Sequence, residues 1–90
     1  MPSYLVETYL ARGRAAERAA SEQRARSAAA ELTEGATLVR FDRSIHVPDD
    51  EICFFVFDAP TSRDAALAAQ RAGLDAIRVV EAVSSDKEET

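Results

Sequence analysis

The chain has one cysteine, no tryptophan, three glycines and three prolines in 90 residues. A single cysteine rules out an intrachain disulfide and suits a reducing compartment, so a cytoplasmic location is expected. The glycines are scattered, and none builds a phosphate-cradling loop. No apolar run approaches the roughly 18 residues of a membrane span. No basic region followed by an apolar core opens the chain, so no secretory leader is expected. Positive charge is also short: 11 Lys and Arg stand against 16 Asp and Glu, for a net charge of −5 and a pI near 4.8. Nucleic-acid binding relies on clustered cations, and here the arginines are interleaved with acids. HxH, HExxH and CxxC patterns are missing, as is a nucleophile elbow.

What is present is a 47% hydrophobic composition, much of it alanine, with the large apolar residues gathered in short runs. A length of 90 residues implies one domain. The spacing predicts a single domain over residues 1–83 and a loose acidic tail over 84–90. Tyr4 to Leu10 alternate as a strand, which Gly13 ends. Arg14 to Leu32 are alanine-rich and read as a helix with a nearly all-alanine buried stripe. On its wet face Arg18, Glu22 and Arg26 are spaced to pair. Gly35 supplies a stop. Thr37 to Val47 read as a second strand, Pro48-Asp49-Asp50 as a turn, and Glu51 to Phe57 as a third strand in an antiparallel hairpin. Thr61 caps a second helix running to about Ala72, and Gly73 with Leu74 fits a left-handed stop. Ala76 to Val83 form the last strand.

The order is β-α-β-β-α-β. It predicts an α+β fold of the ferredoxin-like type, with both helices on one face of a four-stranded antiparallel sheet. Ile52-Cys53-Phe54-Phe55-Val56-Phe57 is apolar on both faces, so the sheet side without helices needs a cover. A second copy is the economical cover, which makes the expected assembly a homodimeric α+β barrel. Small domains commonly gain stability this way.

Alternation places Val6, Val39, Phe41 and Ile77 toward the helices. It places Leu5, Glu7, Tyr9, Leu38, Arg40, Asp42, Arg78 and Val80 on the other side. A regular second strand puts Ser44 and His46 with the latter group, and a one-residue bulge inverts them. For the third strand, Cys53, Phe55 and Phe57 form one set and Ile52, Phe54 and Val56 the other, with the facing undecided. Glu7, Arg40, Asp42 and Arg78 are therefore candidate pocket residues between two sheets; the plainer alternative is a satisfied ion-pair network. His46, the one histidine, stands beside Asp49, Asp50 and Glu51. Imidazole with carboxylates suits a divalent transition metal, and His46, Asp50 and Glu51 are the candidate ligands. Cys53, in an apolar strand, reads as an inert buried thiol.

Tyr4-Leu5-Val6-Glu7, the stretch from Arg43 through Val47-Pro48-Asp49-Asp50-Glu51 to Phe54, Ala72-Gly73-Leu74, and Arg78-Val79-Val80-Glu81 stand out as a set. Together they resemble a family of small bacterial proteins long classed as a domain of unknown function. The resemblance spans about residues 3 to 83. It implies a ferredoxin-like fold, a dimer and, since some members bind or respond to nickel, a Ni2+-type cofactor. Better-known nickel-binding members carry histidine in the second strand. The comparable region here has Arg40, which cannot ligate a metal, leaving His46.

Two classes of function follow. One is a homodimeric binding protein for a divalent metal or small ligand, without nucleic-acid or membrane partners. The other is a cofactor-free dimeric α+β-barrel enzyme of the monooxygenase or isomerase type. It would use a pocket between helices and sheet or between sheets, with Glu7 as a base among the arginines.

Overall fold

Alternating short apolar runs and alanine-rich stretches build two layers. The structure is a computed structural model describing residues 1–85. Its strands are β1 (Ser3–Tyr9), β2 (Arg40–Val47), β3 (Ile52–Asp58) and β4 (Ala76–Ala82), and its helices are α1 (Arg18–Glu34) and α2 (Ser62–Arg71). The strands form one sheet in the order β2-β3-β1-β4, with every neighbouring pair antiparallel. This is the ferredoxin-like arrangement. Residues 86–90 of the expected acidic tail lie outside the described residues. Among the described residues, no helix is long and apolar enough to cross a membrane.

The helices reach the sheet through small side chains. Ala25, Ala28, Ala29 and Leu32 of α1 are buried, as are Ala65, Ala68 and Ala69 of α2. Bulk comes from the sheet: Tyr4, Val6, Phe41, Phe55 and Phe57 fill the layer between. Phe41 meets Phe57 edge-on at 5.4 Å between ring centroids, within the range such pairs favour. In β3, Cys53, Phe55 and Phe57 face the helices, so Ile52, Phe54 and Val56 face the open side.

Local chemistry explains the helix ends. Thr61 caps α2, its hydroxyl accepting the Asp64 N–H at 3.1 Å. At the other end Gly73 takes φ +72°, with Leu74 N–H donating to Ala69 O and Gly73 N–H to Gln70 O, the paired bonds of a Schellman stop. At the end of α1 the expected stop at Gly35 is displaced by one residue. Gly35 has φ −86°, and Ala36 takes the left-handed position at φ 75°. Thr37 N–H then donates to Leu32 O and Ala36 N–H to Thr33 O. The Thr33 hydroxyl donates to Val39 O and accepts Val39 N–H, which holds Thr37–Val39 out of the ladder until Arg40.

The helix expected from Arg14 is broken at its start. Arg12–Glu17 form a 3-10 stretch in which Arg14 leaves helical angles (φ −116°, ψ 16°). The cause is a tether to the β2–β3 connection. Arg12 N–H donates to the Glu51 carboxylate, Leu10 N–H donates to Glu51 O, and the Arg12 guanidinium pairs with Asp49.

Two register shifts redirect side chains. Ladder pairing between β2 and β3 slips after Phe41, so Arg43 opposes Val56 and Ser44 opposes Phe55. This inverts the regular reading of β2 beyond Asp42: Ser44 and His46 face the helices. A second slip between Glu7 and Thr8 leaves Ile77 without a ladder partner, and it stands 60% exposed rather than in the core. Val79 packs against the core in its place.

Candidate functional site

The helix-free face of the sheet carries three zones. At its centre Leu5 lies between Val56 and Val80. Toward one end Phe54, Ile52, Val47 and Ile45 make an apolar patch with Tyr9, which is 63% exposed. Toward the other end lies a recess of about 300 Å³ floored by Ser3, Leu5, Val56 and Asp58 and flanked by Arg40 and Arg43. No helix covers any of this, because both pack on the opposite side.

Charges on this face are paired. Arg78 Nε donates to Glu7 Oε1 at 2.8 Å, and the Glu7 side chain is only 14% exposed. Arg43 pairs with Asp42. Arg40 donates from Nε at 3.0 Å, and also from Nη2, to Oδ2 of Asp58, whose Oδ1 accepts the Ser3 hydroxyl at 2.7 Å. The hydrogen bonding of Arg40 to Asp58, then the Asp58 charge, holds the Arg40 guanidinium above its ordinary value. Asp58 is buried while the Arg40 side chain is 70% exposed, so the pair is a buried carboxylate under a solvent-facing cation.

The four expected pocket residues are thus divided. Arg40 and Asp42 border the recess, whereas Glu7 and Arg78 bind each other elsewhere on the face. A carboxylate held by its own arginine is poorly placed to act as a base. Sequence reasoning missed Asp58, Arg43 and Ser3. The available signal for Asp58 was its position as the only acid in β3, two residues beyond Val56 and on the same side.

The expected metal ligands do not converge. His46 opposes Cys53 on the helix side, the Glu51 carboxylate accepts the Arg12 N–H, and Asp50 lies in the exposed turn. Among the described residues, no three His, Cys, Asp or Glu side chains are placed to hold a metal ion. Within one subunit, the described residues do not bring His46, Asp50 and Glu51 together as a ligand set. His46 Nε2 is buried without a hydrogen-bond partner among the described residues.

A smaller cleft of about 100 Å³ lies on the helix side, bordered by Thr8, Arg18, Arg24 and Cys53. Burial pushes the Cys53 thiol up, against a smaller opposing pull from Arg18 and with a further push from Glu22. Such a thiol is a poor nucleophile. Glu22 does not pair along α1; its carboxylate turns to the sheet and accepts the Ser44 hydroxyl, and Arg26 lies over the Phe41 ring at 5.2 Å.

Comparison with protein-family models, with curated proteins and with solved structures finds no match for this chain.

Proposed function

We propose that this protein is a homodimeric, non-catalytic binding module in which two copies stack their helix-free sheet faces. One observation carries the reading: the open face is apolar at its centre and electrically balanced. Arg40, Arg43 and Arg78 stand against Glu7, Asp42 and Asp58, while the whole chain carries −5. Two copies of an acidic chain repel through most of their surfaces and least through a neutral one. Leu5, Phe54 and Val80 would meet their counterparts there, regaining on the order of 25 cal/mol for each Å² of apolar surface removed from water. The recess beside Asp58 becomes a chamber between the two sheets, where a small polar molecule would sit.

Glu7, the base an enzyme of this shape would use, is tied to Arg78. A divalent-metal role rests on the family resemblance alone.

The test is sedimentation equilibrium at micromolar concentration. Wild-type protein is expected to run as a dimer, and Ile45→Arg as a folded monomer. Ile45 is on the open face and 39% exposed, so a lone subunit tolerates the arginine while a stacked pair does not. A well-folded wild-type monomer at that concentration would refute the proposal.

A further inference from the structure

The recess near Asp58 holds more donors than acceptors. A guanidinium carries five N–H donors in a planar fork. Arg40 commits Nε and Nη2 to Asp58, and Arg43 commits Nη1 to Asp42, so each arginine keeps several N–H groups for the recess. Asp58 is largely committed, accepting two bonds from Arg40 and one from Ser3. Asp42 accepts one Arg43 donor and keeps acceptor sites, though fewer than the donors the two guanidiniums keep. The ligand that completes such a set brings acceptors. Between the polar groups, Leu5, Val56, Ala82 and Val83 form an apolar wall.

Arg40 is also held in place before any ligand arrives. Asp58 is buried and fixed by Ser3, and it grips one edge of the Arg40 fork, leaving the other edge outward. Preorganised guanidinium forks match the two oxygens of a carboxylate. Asp42 and Asp58 balance the two arginines, so the recess has no net charge to offset the heavier desolvation of a doubly charged phosphate, and a singly charged carboxylate costs less to bring in. We propose that the recess binds a small organic monocarboxylate, its charged end on Arg40 and Arg43 and its short hydrocarbon body against Leu5 and Val56. The inference deepens the binding-module reading by naming the class of molecule the chamber takes.

The experiment is isothermal titration of the full chain with butyrate, butyramide and inorganic phosphate, with sedimentation run on the same samples. Butyrate is expected to bind saturably, and more tightly than either butyramide or phosphate. Arg43→Gln is expected to lower butyrate affinity about ten-fold or more, the usual effect of losing a charge-assisted pair. Arg43 is the better probe because Asp42 is one-third exposed and tolerates losing its partner, whereas removing Arg40 strands the buried Asp58. Equal binding of butyrate and butyramide, tighter binding of phosphate, no saturable butyrate binding, or a folded Arg43→Gln variant with unchanged affinity would each overturn the inference. A monomer that still binds butyrate through Arg43 would sink the dimer while leaving the carboxylate site standing. A dimer indifferent to butyrate would do the reverse.

Discussion

The C-terminal end of α1 offers the sharpest test of the fold, because its glycine stands one residue before the position that needs it. Ala36 sits at φ 75°, and Gly35 at φ −86° occupies backbone that any residue accepts. A left-handed alanine raises the folded state by about 1–2 kcal/mol. Replacing it with glycine removes that strain but loosens the unfolded chain by about 0.4–1 kcal/mol. Ala36→Gly should therefore stabilise by about 0.5–1 kcal/mol. Gly35→Ala should also stabilise, by about 0.4–1 kcal/mol, through the unfolded chain alone. Its new Cβ would meet Leu32 O at 3.6 Å and Glu31 O at 3.7 Å, which is ordinary contact. Exchanging the two residues should gain roughly 1–2 kcal/mol, and each kcal/mol shifts the melting temperature by about 4–8 °C in a domain of this size. Gly73→Ala is the control of opposite sign, because Gly73 at φ +72° does need its freedom. Urea unfolding of the four variants and the wild type at one fixed protein concentration decides the matter; the concentration is fixed because dimerisation feeds into apparent stability. The reasoning fails if Ala36→Gly is neutral or destabilising, or if Gly73→Ala and Gly35→Ala shift stability the same way.

Two further predictions concern the helix side of the sheet. Burial raises the Cys53 thiol, so its contribution to stability is complete below the unfolded thiol value of about 8.5 and is lost as pH rises through the higher folded value. Stability of the wild type should therefore fall more steeply than that of Cys53→Ala as pH rises above about 8.5; parallel curves would contradict this. His46 carries a buried, unpartnered nitrogen, so His46→Leu should be neutral or stabilising by up to about 1 kcal/mol. Calorimetry with Ni2+ and Zn2+ should give the same trace for this variant as for the wild type, and a saturable heat lost with His46 would restore the metal reading.

Most of the fold was legible because its signals are local. Alternation in β1, the Thr61 cap and the Gly73–Leu74 stop each act within a few residues, and each is found where the pattern puts it. The features that were not legible depend on distant partners. Glu22 is spaced to pair with Arg18 and Arg26, yet it turns to Ser44 on a strand 22 residues away. The break before α1 comes from Glu51, 39 residues beyond Arg12. In β3 both faces are apolar, so alternation could not say which set meets the helices until alanines from α1 and α2 had chosen Cys53, Phe55 and Phe57.

The slip at Asp42 matters most for function. Arg40 and Arg43 are three residues apart, and in a regular strand residues at that spacing point to opposite faces. One extra residue in β2 brings both to the open side, where they oppose Asp58 and Val56. The same residue sends Ser44 inward to Glu22 and His46 inward to oppose Cys53, taking the histidine off the face where a ligand could reach it. Nothing in the composition of Arg40-Phe41-Asp42-Arg43 marks the insertion, since every residue there also suits a regular edge strand. A single backbone irregularity thus determines which side chains share a surface. It places the Arg40 and Arg43 guanidiniums beside the buried Asp58 on the open face, a grouping that neither sequence alternation nor charge counting reveals.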